Sequence, residues 1–128
     1  MIAEHFQPGC ICVVRRRKRD GLGMHFGVLM PDLSVVDFNA DTGVRHTDSG
    51  TFAEGLDVEI VRVVDPGRST LVHQRVFQAL VGPPRYDVFQ MNCEKFANWI
   101  TGDEARSDQV LALAVLAACG FVLAAFAR

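Results

Sequence analysis

Every strand-like run in this chain ends by Val64 and every helix-like run begins after it, an order that narrows the possible folds sharply. Segments 10–15, 24–29, 33–39 and 56–64 are rich in Val, Ile and Phe and are bounded by Gly, Pro or Asp. In the last of these, Val58, Ile60, Arg62 and Val64 alternate with Glu59, Val61 and Val63, which predicts a strand buried on much of both faces. Segment 68–81 then mixes apolar and polar residues at helical spacing and stops at Gly82-Pro83-Pro84. A second helix is expected from about residue 92 to 101. Strands followed by helices predict an α+β fold with helices packed on an antiparallel sheet. The chain has 128 residues, with no internal repeat or low-complexity linker, so one domain over 1–109 is expected, followed by an apolar segment over 110–128.

The second helix carries the most chemistry. Asn92-Cys93-Glu94-Lys95-Phe96-Ala97-Asn98-Trp99 puts a cysteine at a helix start, with Phe96, Trp99 and Ile100 sharing one face. Unpaired backbone N–H groups and the positive end of the helix dipole converge there, which lowers a thiol pKa and favours the thiolate. A nucleophile also needs a base. His25, in the strand-like Met24-His25-Phe26-Gly27-Val28-Leu29, is the candidate, distant in sequence as such partners usually are. Asp37 follows the Pro31-Asp32 turn, and a hairpin closed there would bring His25 and Asp37 roughly opposite each other. Asp37 would then accept the imidazole N–H and fix the tautomer, completing a nucleophile, base and orienter. Each residue also has a plainer reading, since a free cysteine is most often a small buried hydrophobe and a strand histidine usually satisfies a hydrogen bond. Their combination is what points to chemistry.

His25-Phe26-Gly27-Val28, a polar residue twelve positions on, and Asn92-Cys93-Glu94-Lys95-Phe96-Ala97-Asn98 together resemble the lecithin retinol acyltransferase-like family. That family includes the H-Ras-like suppressor phospholipases and acyltransferases. Pro8-Gly9, Thr51-Phe52-Ala53-Glu54-Gly55 and the stretch 102–110 extend the resemblance over most of residues 8–110. It implies a circularly permuted NlpC/papain-like fold, with Cys93, His25 and Asp37 as the catalytic set. The family often has histidine where this chain has Asp37 and Lys95, and vertebrate members tend to carry aromatic and basic residues where it has Gly23-Met24.

A net charge of −2 and a pI near 6.0 argue against nucleic acid as the main partner. The cysteines do not form a disulfide framework: Cys10 and Cys12 flank Ile11 and point the same way, and Cys119 lies in the apolar tail. No thiol pair or histidine cluster has zinc spacing, and neither a metal nor a cofactor is expected. Residues 1–8 show no basic flank before an apolar core, so no signal peptide is expected and the cytoplasm is the simplest compartment. His5, His46 and His73 are placed in a frayed terminus, a polar loop and a helix surface.

Two further segments bear on partners. Arg15-Arg16-Arg17-Lys18-Arg19 reads foremost as a solvated hairpin tip, and otherwise as a contact with anionic lipid headgroups. Residues 110–127 form an uncharged run of 18, apolar all round, between Asp108 and Arg128. That length is within the range that spans a bilayer, so a C-terminal membrane anchor is expected. The foremost function is a membrane-associated thiol acyltransferase or hydrolase with a membrane lipid as acyl donor. The alternatives are an NlpC-type peptidase or amidase, and a non-catalytic membrane-tethered module.

Overall fold

The computed structural model describes residues 10–19, 21–87 and 91–103. It is an α+β fold: β1 (Cys12–Arg17), β2 (Met24–Leu29), β3 (Ser34–Asn39), β4 (Gly43–Asp48), α1 (Ser49–Ala53), β5 (Val58–Val63), a 3₁₀ turn at Pro66–Arg68, α2 (Ser69–Val81) and α3 (Cys93–Ile100). The five strands form one antiparallel sheet in the order β4-β3-β2-β1-β5. The expected apolar run 110–127, with Cys119, lies outside the described residues, as do His5 and Pro8-Gly9. Among the described residues, no helix is long and apolar enough to cross a membrane.

Alternation along the strands gives the sheet two different faces. On one, Val13, Phe26, Val28, Val36 and Phe38 meet Val72, Val76 and Ala79 of α2 and Phe96, Ala97 and Ile100 of α3 in the main core. On the other, Cys12, Val14, Leu29 and Val35 form a smaller cluster closed by Phe52 of α1. His25 and Asp37 alternate onto this second face, beside Gly27, Leu29 and Val35.

The β2–β3 turn follows from local chemistry. Met30 and Ser34 share a backbone bond (N to O, 2.8 Å), Leu33 takes φ 70°, and Asp32 Oδ1 accepts the Ser34 N–H at 3.0 Å. Leu33 therefore belongs to the turn rather than to the strand expected over 33–39. The strand expected over 10–15 lies two residues later, so the arginines continue β1.

Two expectations are corrected. A strand at 43–48 was not foreseen. Its sequence, Gly-Val-Arg-His-Thr-Asp, is polar because β4 is an edge strand facing solvent on one side, and it places His46 on a strand instead of in a loop. β5, expected to be buried on both faces, is the opposite edge. Val61 and Val63 are exposed, and the half-buried residues are Val58, Ile60 and Arg62. Val13 and Val14 of β1 pair with Arg62 and Ile60, so Val61 is the extra residue of a bulge. The bulge turns Arg62 onto the α3 face, where its guanidinium donates to Asn98 Oδ1 (3.0 Å) and Thr101 Oγ1 (2.8 Å).

The C-terminal end of α3 is fastened. Gly102 adopts φ 86°, a conformation that favours glycine, and a Cβ there would lie 2.9 Å from Leu71 Cδ2. Asp103 is held by Arg62 (2.6 Å) and Arg68 (2.9 Å), and Arg68 also donates to the Thr101 carbonyl at 3.1 Å.

Candidate active site

Cys93 is the first residue of α3, and Asn92 is its N-cap, accepting the Lys95 N–H at 3.0 Å through Oδ1. Burial of Phe96, Ala97 and Ile100 fixes the helix on the main core. The helix start is thereby directed at β2. The β2–β3 pairing comprises Gly27, Val28 and Leu29, so β3 diverges from β2 before Met24 and Phe26. Cys93 lies beside this stretch of β2. Its Sγ lies 3.7 Å from the Met24 carbonyl oxygen, and the His25 side chain and the Phe26 N–H both favour its thiolate. The candidate nucleophile comes from the main-core face and the candidate base from the other.

His25 and Asp37 are buried, and His25 Nε2 lies 2.8 Å from Asp37 Oδ2. The register corrects the expected pairing: Gly27, not His25, is directly opposite Asp37. The contact is diagonal, within reach of a long side chain such as histidine. With Nε2 facing the carboxylate, Nδ1 is the ring nitrogen left for the thiol.

Arg45 is the member of the site that sequence reading missed. It stands directly opposite Asp37 across β3–β4 and binds it bidentately, Nε to Oδ1 at 3.0 Å and Nη2 to Oδ2 at 2.7 Å. The signal was present as an arginine eight residues after Asp37, but it is legible only once β4 is known to be a strand. Tyr86 was also missed. It packs on Phe38 with ring centroids 5.0 Å apart, and its hydroxyl interacts with Cys93.

The charges follow from these contacts. Burial pushes the Cys93 thiol up, but the hydrogen bond to His25, the charge of that ring and the Phe26 N–H outweigh it and bring the pKa below 9.0. Burial pushes His25 down, and hydrogen bonds to Asp37 and Cys93 reverse the sign, raising it above 6.5. Burial also opposes ionisation of Asp37, yet His25 and Arg45 hold it below 3.8. Burial and the neighbouring Cys93 charge push Tyr86 up to about 12, so it keeps its proton and can donate it. By contrast, burial raises Cys12, which has no such partner. The arrangement favours a thiolate–imidazolium pair.

The structure divides the remaining candidates. The basic run is not a uniformly solvated tip: Arg15 pairs with Glu59, Arg16 is buried against Phe52 and Glu54, and Arg19 pairs with Glu54. His46 Nε2 lies 2.7 Å from Ser34 Oγ, and His73 Nδ1 lies 2.8 Å from the Ser69 carbonyl oxygen. An open groove beside His46, lined by Asp32, Ser34, Asp48 and Ser49, shares no residue with the Cys93 site. Among the described residues, Cys10, Cys12 and Cys93 are free thiols, and no group of three or more His, Cys, Asp or Glu is arranged to hold a metal. Comparison with protein-family models, curated proteins and solved structures finds no match to the chain.

Proposed function

We propose that the protein is a thiol-dependent acyltransferase or hydrolase acting on lipid esters, of the lecithin retinol acyltransferase-like type and with a permuted NlpC/papain-like arrangement. The observation that carries this reading is a single connected line. Cys93 stands at a helix start, its thiolate favoured by His25, whose Nε2 lies 2.8 Å from Asp37 Oδ2. Lowered thiol and raised imidazole pKa values are what a resting ion pair needs.

In the proposed reaction His25 holds the proton taken from Cys93. The thiolate attacks the ester carbonyl, and negative charge develops on its oxygen. The Tyr86 hydroxyl, which keeps its proton, and the Cys93 N–H at the helix start donate to that oxygen. As the carbonyl re-forms, the C–O bond breaks and His25 protonates the departing alcohol, leaving a thioester on Cys93. Water or an amine then attacks, His25 accepts its proton and returns it to the sulfur, and the acid or amide leaves. Asp37, held by Arg45, stabilises the imidazolium throughout without taking the proton. The uncharged run 110–127 would keep the domain at a membrane on the cytoplasmic side, raising the local concentration of a lipid substrate.

Incubation with phosphatidylcholine vesicles followed by intact-mass spectrometry tests the reading. An acyl adduct on Cys93 that is absent from Cys93→Ser is expected. Loss of the adduct in the wild type, both with vesicles and with a short activated ester, would overturn it. Turnover of a peptide amide in their place would move the assignment to peptidase chemistry.

A further inference from the structure

One buried aromatic ring touches the base from behind. Phe52, fully buried on α1, stacks on the His25 imidazole with centroids 5.5 Å apart and planes inclined by 28°. Gly27 makes room for it, since a Cβ at that position would lie 2.7 Å from Phe52 Cε1 and 2.7 Å from Val35 Cγ1. Arg16, opposite His25 in the β1–β2 register, closes the arrangement. Its guanidinium carbon lies 5.5 Å from the Phe52 ring centroid, its Nε donates to the Phe52 carbonyl, and its Nη2 is 3.1 Å from Glu54 Oε2. Glu54 also pairs with Arg19 at 3.4 Å, and Asp48 caps α1 by accepting the Thr51 N–H at 2.7 Å.

A cation this buried is costly unless its donors are used, and here they are spent on the backbone and the side chain that fix one ring. Arg16 is 6% exposed, so its guanidinium does not serve as a solvated surface charge. Lone buried phenylalanines need no such clamp to fill space.

We propose that Phe52, clamped by Arg16 and Glu54, is a positioning residue that holds the His25 imidazole in line between Asp37 and Cys93. This rests on the acyl-transfer reading, because it gives the ring something to align. A histidine held only by Asp37 and Cys93 can rotate about its side-chain torsions and lose either contact. A flat ring stacked behind it removes that freedom, and misplacement of a catalytic group by about 1 Å can cost on the order of a hundredfold in rate. The charged and titratable groups that bear on His25 are Asp37 from β3, Cys93 from α3, Arg45 through Asp37, and Arg16 and Glu54 through Phe52. Tyr86 and Lys18 act through the Cys93 sulfur.

The test uses the full chain and needs no knowledge of the natural substrate. Iodoacetamide labelling of Cys93 is followed by mass spectrometry across about pH 5 to 9, alongside NMR titration of the His25 ring. Phe52→Leu is compared with wild type, with Arg16→Lys as a milder loosening of the same clamp. Leu29→Val, in the same cluster but not stacked on His25, is the control for a purely structural effect. Both clamp variants should slow Cys93 labelling near neutral pH, Phe52→Leu by on the order of tenfold, and shift the His25 titration. Leu29→Val should lower thermal stability and leave both profiles in place. If Phe52→Leu does not fold, the Arg16→Lys profile decides alone. Clamp variants that keep the wild-type labelling and titration profiles, or a Leu29→Val that moves them equally, overturn the positioning role while leaving the acyl-transfer reading standing. A wild-type Cys93 that labels no faster than Cys10 would overturn both.

Discussion

The two faces of the sheet use burial for different ends. On the main-core face the buried groups are almost all apolar, with Phe26, Phe38, Phe96 and Ile100 packed between strands and helices. On the other face a smaller apolar cluster shares its space with His25, Asp37 and Arg16, all buried and all joined to partners. Apolar burial needs only volume and shape, whereas each polar group must also find a partner of the right kind at the right distance. The first face therefore tolerates change over most of its area and carries Cys93 at one edge, whereas the second, which holds His25 and Asp37, tolerates little.

The sharpest way to break this division is to exchange the roles. Asp37→Asn keeps the size of the side chain but removes the charge that fixes the His25 tautomer. Turnover should fall on the order of a thousandfold or more, read as the rate of Cys93 acylation by a short activated ester. Phe96→Ala acts on the other face and should cost about 3 to 5 kcal/mol in stability, measured by urea unfolding. The molecules that remain folded should still label Cys93 rapidly. If Phe96→Ala instead abolished labelling in the folded fraction, the two faces would not be separable. Arg45→Gln should be intermediate: Asp37 loses its bidentate partner, its pKa rises towards 3.8, and acylation slows by about tenfold to a hundredfold.

The pH dependence sharpens the same contrast. Cys93 has a folded pKa below its ordinary value, so its ionisation adds stability that is fully present above 9.0 and is lost as pH falls through the lowered pKa. His25 runs the other way. Its contribution is fully present below 6.5 and is lost as pH rises through the raised pKa. The two opposite shifts favour the ion pair, and alkylation of Cys93 is expected to be faster at neutral pH than that of Cys12, whose thiol burial pushes up. The smallest expected effect is that of Asn92→Ala, about 1 kcal/mol from loss of the α3 cap. Its thermal shift should be modest, but Cys93 labelling should slow visibly because the cap sets where the helix starts.

What was legible in the sequence follows the same division. The α+β class, α2, α3 and the contact between His25 and Asp37 were readable because each rests on a local pattern: helical periodicity, a cap before a cysteine, a proline turn; the short helix α1, which interrupts the strands before β5, was not. β4 was not readable, since an edge strand carries polar residues on its open side and so hides its own alternation. Arg45 vanished with it, because its link to Asp37 exists only through the β3–β4 register. The expectation that β5 is buried on both faces failed because β5 is an edge strand with one side open; the Val61 bulge then turns Arg62 to the α3 face. Arg16 looked like one more charge in a basic run; what sets it apart is a ring 36 positions away in the chain.

The clasp on Asp103 has a mechanical meaning. Arg62 projects from the sheet and Arg68 from the turn before α2, and both close on the last residue of α3's exit. Eight helical residues separate that point from the nucleophile's end of α3, a distance of about 12 Å. The six residues 104–109 can extend at most about 20 Å before the apolar run begins. Any pull on the distal segment is thus delivered to a riveted corner of the sheet and not to the thiol. Were residues 110–127 to hold a membrane, the Cys93 site would hang on a short leash of fixed origin, within a few nanometres of it.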